Sequence, residues 1–265
     1  MKVLIFALVM FSFTNPTRAK DKLPFSATPT SQLGSKMVDV NLLKLQAEEV
    51  AKAGKENKEI TSGLQKQNHE LLNDLAQFAE KLKLENPNIQ SINKAKAERI
   101  LKAMRNHPVV GVKALSKYDT WDNMIGYCFG RAAYVHWELL RQQIPSHVIG
   151  KIFAVGDLRL NKSSFKWDYH VATTVLSENF EWLMIDPLVE KVLPVKEWMD
   201  DVLQFSFEPS HPRIRFYFTD AVKLHAIPGA YSMEKLMFEE YKGYFRDLFK
   251  WFQNNPPKKM KNTKL

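Results

Sequence analysis

An α+β fold preceded by a helical N-terminal region is what this chain of 265 residues predicts, and three observations lead there. Apolar residues recur at three- and four-residue spacing up to His107, all six tryptophans fall beyond Lys113, and Gly, Pro and β-branched residues become frequent in that second part. A helical period followed by short β-type runs is the pattern of segregated helices and antiparallel sheet, not of alternating βαβ units. With 45% hydrophobic and 12% aromatic residues the chain can bury a substantial core, which excludes wholesale disorder.

Taken in order, residues 1–19 read as an export signal. Lys2 gives a basic start, Val3 to Phe13 an apolar run too short to span a bilayer, and Thr17-Arg18-Ala19 a small-residue cleavage region. The expectation is a soluble product released after Ala19, secreted or periplasmic, without stable membrane insertion. Asp21 to Lys36 is a flexible leader rich in Pro, Ser, Thr and Lys. One helical stretch follows through Leu42, Leu45, Val50 and Ala51, and a second through Leu64, Leu71, Leu72, Leu75, Phe78, Ala79 and Leu82. Asn86-Pro87-Asn88 breaks the pattern, and Ser91 is placed to cap a third helix through Ile92, Ile100, Leu101 and Met104 that His107-Pro108 stops. Residues 20–112 thus form a helical hairpin or small bundle, either a removable pro-segment or a permanent accessory domain, and His69 and His107 read there as surface or terminus histidines.

Residues 113–255 form the mixed domain. A helix is expected from about Tyr127 to Gln143, then strands near Val148 to Leu160 and Tyr169 to Leu176. Ser177-Glu178-Asn179 turns the chain into a third strand, Phe180 to Ile185, which Pro187 ends, leaving Asp186 at its lip. A helix near Val195 to Val202, a strand around Ile214 to Phe218 and an aromatic helix from about Ser232 to Phe252 complete the domain. Residues 256–265 are a basic tail carrying Lys258, Lys259, Lys261 and Lys264.

The formal charge is +9, of which Lys2 and Arg18 leave with the signal. A basic surface favours anionic partners without naming one. Zinc-finger spacing and aromatic RNA-binding motifs are missing from the sequence, so a nucleic-acid partner is not expected. Nor does any repeat or metal-spaced cluster stand out, and neither metal nor organic cofactor is expected.

Cysteine usage is more informative. An exported chain that needed covalent staples would carry cysteines in pairs, and Cys128 stands alone. It is either a small buried hydrophobe or a retained reactive thiol. Gly126-Tyr127-Cys128 sits at the start of the expected helix, where unpaired amides and the helix dipole lower a thiol pKa and offer the Cys128 N–H to an oxyanion. Such a thiol needs a base, and the base an orienting acid. Of the seven histidines, His136 lies over two turns along the same helix, while His211 and His225 lack an ordering acid on an adjacent strand. His147, at a strand entry, remains open. His170 begins the strand whose hairpin returns so that Asp186 emerges within a two-residue adjustment of it. The residues alone leave two readings: a Cys128, His170, Asp186 triad, or a histidine completing a hairpin beside an aspartate capping a turn.

The motifs themselves resemble a known family. Gly126-Tyr127-Cys128-Phe129-Gly130-Arg131-Ala132 resembles the Gly-Cys-Tyr-x-Arg-Ala segment of bacterial protein glutaminases, of papain and transglutaminase-like fold. Trp167-Asp168-Tyr169-His170-Val171-Ala172 is similar to Trp-x-Tyr-His-Val-Ala there, and Met184-Ile185-Asp186-Pro187 to Ile-Ile-Asp-Pro. Phe153-Ala154-Val155-Gly156-Asp157-Leu158 matches a strand between the first two. Order and spacing agree over roughly Asp119 to Trp198; the N-terminal helices are not covered. The resemblance implies a nucleophile helix packed on an antiparallel sheet. It further implies a Cys128, His170, Asp186 triad that converts glutamine side chains of proteins or peptides to glutamate and ammonia through a thioester. Trp121, Trp167 and Tyr169 would line the substrate slot, although core packing is the commoner use of such aromatics, and Arg131 is expected to pair with an acid. The family is rich in disulfides where this chain has none, so packing must replace them. Transglutamination, peptide cleavage and a non-catalytic binding module remain open at this stage.

Overall fold

The computed structural model describes residues 58–111, 114, 117–118, 127–159, 166–206, 209–221 and 242–256. The expected signal, leader and first helical stretch, and most of the basic tail, lie outside the described residues. The elements are α1 (Lys58–Glu85), α2 (Lys94–Arg105), α3 (Cys128–Arg141), a single 3-10 turn (Ser146–Val148), β1 (Ile149–Arg159), β2 (Lys166–Leu176), β3 (Trp182–Ile185), β4 (Leu193–Pro194), α4 (Val195–Leu203), β5 (Ile214–Asp220) and α5 (Lys242–Asn254). The α+β expectation holds.

The five strands form one antiparallel sheet in the order β4-β3-β2-β1-β5. The long β1–β2 hairpin, with Ala154 opposite His170, is its spine. Its regular register breaks between Val155 and Leu158. Gly156 sits there at φ +146°, where a Cβ would stand 2.0 Å from the Arg213 carbonyl oxygen, so only glycine fits. β3 is short because its first expected residues are spent on the turn: Phe180 takes φ 59° and the Ser177 N–H donates to the Glu181 carbonyl at 2.8 Å. The strand therefore begins at Trp182 and not at Phe180.

Helix α3 lies along one face of the sheet, held where Thr173 Oγ1 donates to the Ala132 carbonyl at 2.7 Å. Because strand side chains alternate, His170 projects from the other face, where α4 brings Trp198 against it and against Phe216. Aromatic packing supplies much of the core: Phe245 of α5 meets Phe129 and Trp137, and Phe252 meets Tyr134 and Trp137. Gly130 makes this approach feasible, since a Cβ there would lie 2.5 Å from the Tyr244 ring.

The described N-terminal helices, α1 and α2, pack into the core of the sheet. Leu75, Ala79, Leu82, Ile100, Leu101 and Met104 belong to the same buried cluster as the sheet. The physical reason is the outer edge of β5, whose free backbone groups need partners. Asn68, buried on α1, supplies them: its Nδ2 donates to the Ile214 carbonyl at 3.0 Å and its Oδ1 accepts the Phe216 N–H at 2.9 Å. Across the sheet, Trp182 Nε1 donates to the Leu75 carbonyl at 3.1 Å. Helix α2 is tied in by a parallel bridge of Ile92 to Ser177, which keeps residue 92 extended. Its cap is consequently Asn93, whose side chain accepts the Lys96 N–H, and not Ser91. His107, expected at the surface or a terminus, does follow the end of α2 but is buried between Tyr134 and Trp251; its Nδ1 accepts the N–H groups of Val109 and Val110, and burial lowers its imidazole to about 4.

Replacing Asn68 with Ala strands two buried backbone groups on β5. Urea unfolding followed by tryptophan fluorescence is expected to show a loss of about 2–4 kcal/mol in a single transition. A fluorescence transition left at the wild-type midpoint would mean that α1 is dispensable to the sheet.

Candidate active site

Cys128 is the first residue of α3, and Tyr127 before it caps the helix in the left-handed conformation at φ 45°, ψ 23°. A bulky residue at positive φ is strained, and such strain is held only where packing over-determines it. Here Tyr127 stacks on Tyr244 at 4.8 Å and donates its hydroxyl to the Tyr118 carbonyl at 3.1 Å. The bend expected at Gly126 lies outside the described residues. No side chain caps the N-terminus of α3, and the Arg131 N–H donates to the Tyr127 carbonyl, so the Cys128 N–H lies ahead of the first intrahelical bond. Cys128 is partly exposed and has no disulfide partner.

β3 pairs with β2 only as far as Thr173 opposite Ile185, and beyond that point the edge of β2 is open to the helix tip. The Cys128 sulfur occupies this gap, hydrogen-bonded to the His170 ring and to the Val171 N–H. Asp186 follows the last residue of β3, and its Oδ2 accepts from His170 Nε2 at 2.7 Å. That contact leaves Nδ1 of the ring for the sulfur. The three residues singled out from the sequence are thus brought into one chain of contacts.

Asp186 is buried to 1% exposure, and a buried carboxylate survives as an anion only when its oxygens are satisfied. Besides His170, Trp198 Nε1 donates to Oδ2 at 2.8 Å and the Leu188 N–H to Oδ1 at 3.0 Å. Leu158, Leu188, Val189, Val202 and Phe205 enclose this side of the pair in apolar surroundings. Burial pushes the Asp186 carboxyl up, but the charge and hydrogen bond of His170, with the Leu188 and Trp198 donors, hold it below its usual value. Burial likewise lowers His170, yet Asp186 and the cysteine raise it to about 9. For Cys128, burial raises the thiol, and the hydrogen bond and charge of His170, then the charge of Arg131 and the Val171 N–H, bring it below the usual thiol value. Each group favours the charged form of the next, which shifts Cys128 towards the thiolate and His170 towards the imidazolium.

The other candidates fall elsewhere. His136 is fully buried deep in α3, His147 sits half-buried in the 3-10 turn that enters β1, His211 is exposed beside Ser210, and His225 lies outside the described residues. Trp121 lies outside the described residues as well. The backbone of Trp167 pairs with Leu158 in β2. Tyr169 rests on Phe153 at 5.8 Å, on the face opposite its neighbour His170. Arg131 pairs with no acid among the described residues: it is buried beside Gly130 and Tyr244, and its Nε and Nη1 have no hydrogen-bond partner. The indole donor of the site is Trp198, which the sequence reading did not single out. Its twelve-residue separation from Asp186 becomes proximity only because β4 turns the chain back under β3; the apolar stripe Val195, Trp198, Met199, Val202 of α4 is its one local trace. Among the described residues no helix is long and apolar enough to cross a membrane.

Residues 97–202 match the family model described as glutaminase. No curated protein matches the chain. Among solved structures, the NMR structure of protein-glutaminase from Chryseobacterium proteolyticum is 15% identical with a TM-score of 0.41, over 66% of this chain and 95% of that one. A crystal structure of protein-glutaminase is 16% identical with a TM-score of 0.41, over 67% of this chain and all of that one. A crystal structure of pro-protein-glutaminase is 14% identical with a TM-score of 0.41, over 63% of this chain and 60% of that one. The segment similar to the glutaminase family model, residues 97–202, is the one that carries Cys128, His170 and Asp186.

Proposed function

We propose that the protein is an exported protein-glutamine glutaminase, deamidating glutamine side chains of protein or peptide substrates through a Cys128, His170, Asp186 triad and a thioester intermediate. The observation that carries this reading is the 2.7 Å contact of His170 Nε2 with a fully satisfied buried Asp186, its other nitrogen left to the only cysteine of the chain. In this reading the Cys128 thiolate attacks the carboxamide carbon, and the tetrahedral oxyanion takes the N–H of Cys128 at the start of α3. The imidazolium of His170 gives its Nδ1 proton to the leaving nitrogen as the C–N bond breaks, and ammonia departs. Neutral His170 then takes a proton from water as its oxygen attacks the thioester carbonyl, the C–S bond breaks, and glutamate is released with the thiolate restored. Asp186 keeps the ring oriented throughout, and Trp198 keeps Asp186 oriented. Helices α1 and α2 belong to the same catalytic unit, a reading supported by their share of its core.

Ammonia release from a glutamine-containing peptide and from a folded protein tests the reaction, assayed in culture medium as well as in cells to test export. Cys128→Ala is expected to lower the rate by about 10⁴-fold or more. Substrate glutamines should gain the mass of amide-to-acid conversion. Cross-links on adding a primary amine would indicate transglutamination, new N-termini peptide cleavage, and undiminished binding with no ammonia from the wild type a non-catalytic module.

The pH dependence follows from the ion pair. The reacting form has the thiol deprotonated and His170 protonated, so kcat/KM should rise on an acid limb below the usual thiol range and fall as pH passes about 9 and His170 loses its proton. An activity that climbs steadily through pH 9 would contradict this assignment.

Trp198→Phe removes one hydrogen bond to a buried carboxylate while keeping an aromatic in place. That bond is worth about 1.5–3 kcal/mol, so kcat is expected to drop about ten- to a hundredfold with KM little changed. A kcat equal to wild type would reduce Trp198 to a packing residue.

A further inference from the structure

One buried charge near the site has no counterpart in the relay described so far. Arg131 stands three residues after Cys128 on α3, on the same side of the helix, and is 6% exposed. Its Nε and Nη1 make no hydrogen bond, and neither does the hydroxyl of Tyr244, 1% exposed, whose ring closes over Gly130 between them. Burying a guanidinium without a partner costs several kcal/mol, so such a group persists where an anion repays it. The neighbouring acid of α5 does not serve: Asp247 is engaged by Lys117 at 2.6 Å and by the Tyr118 hydroxyl at 2.8 Å. Among the described residues, the titratable groups around the recess are Cys128 and Arg131 on α3, Tyr244 on α5, Tyr118 and Tyr127 beside that tyrosine, and His170 on β2. Of these, Cys128 is the group whose pKa is lowered towards its anionic form.

We infer that Arg131 is a positioning residue whose buried guanidinium is the standing counter-charge of the Cys128 thiolate, walled in by Tyr244 so that water cannot screen it. The inference rests on the reading of Cys128 as nucleophile and adds a second cation to it. Two cations then share one sulfur: His170 must give up its proton during each turnover, whereas a guanidinium cannot be deprotonated. Arg131 thus favours the thiolate in the free enzyme independently of the His170 proton, and it stabilises the thiolate as leaving group when water opens the thioester.

Because Cys128 is the only cysteine, alkylation of the full chain by iodoacetamide reads this one sulfur. Its rate is to be followed against pH for wild type, Arg131→Met, Arg131→Gln and Arg131→Lys, with circular dichroism reporting the fold of each. Removing a cation raises a thiol pKa, so both neutral variants should shift the inflection upward by about one pH unit or more, a loss of about tenfold in alkylation rate on the acid limb. Arg131→Lys, which keeps the charge, should hold the inflection near wild type. A folded neutral variant with an unshifted inflection overturns the inference. Should both neutral variants fail to fold, Arg131→Lys decides: an inflection kept low supports the role, and an ordinary one removes it. A wild-type sulfur that titrates like a free thiol would instead sink the reading of Cys128 as nucleophile, so the two failures are distinguishable.

Discussion

The carboxylate of Asp186 is the constraint around which the site is organised. An anion at 1% exposure must find its donors inside the protein, and each donor comes from a different part of the fold: the ring of His170 from β2, the indole of Trp198 from α4, and the Leu188 N–H from the turn that follows β3. Satisfying that charge fixes the end of β3, the position of α4 beneath the sheet and the orientation of the imidazole at once. The same low-polarity surroundings that make an unpaired carboxylate costly make the paired one an effective anchor, since neither water nor salt weakens the contact.

From this anchor the geometry runs outward to the sulfur. The shortness of β3 leaves a gap at the edge of β2, and the tip of α3 fills it, so the thiol meets the Val171 N–H where a longer strand would have paired. Tyr127 reaches the required helix entry in a left-handed conformation because its ring is wedged between Tyr118 and Tyr244. The strain is therefore carried by the aromatic packing of α5 on α3, which Gly130 permits by having no side chain.

A chain with a single cysteine cannot use disulfides to hold this arrangement, and the fold holds it with buried surface and edge closure. Phe129, Tyr134, Trp137, Phe245 and Phe252 interlock between α3 and α5, and rings in such offset and tilted contacts add to plain area burial. On the far edge, the Asn68 amide stands in for a missing strand on β5, so that the N-terminal helix both completes the sheet and covers it. The buried His107, neutral and accepting two backbone N–H groups, closes the turn that leads from α2 towards the helix of the cysteine.

What the sequence determined by itself was whatever depends on neighbours along the chain. Helical and strand periods placed α1, α2, α3, β1 and β5 to within a few residues, Pro187 placed the end of β3, and the lone Cys128 at a helix start together with the His170 and Asp186 hairpin named the three groups that meet. The hairpin was legible because its register is local: Thr173 opposite Ile185 puts Asp186 two residues from His170. What only the tertiary structure decided was every contact between residues remote in sequence or unremarkable in type. Trp198 carries the indole donor to Asp186; Asn93, not Ser91, caps α2; Asn68 binds a strand 146 residues away; and Arg131 is buried with no acid partner among the described residues. Periodicity reports which face of an element is apolar, whereas the partner of a buried polar group is fixed by how the elements cross, and that crossing leaves no mark on the residues that flank it.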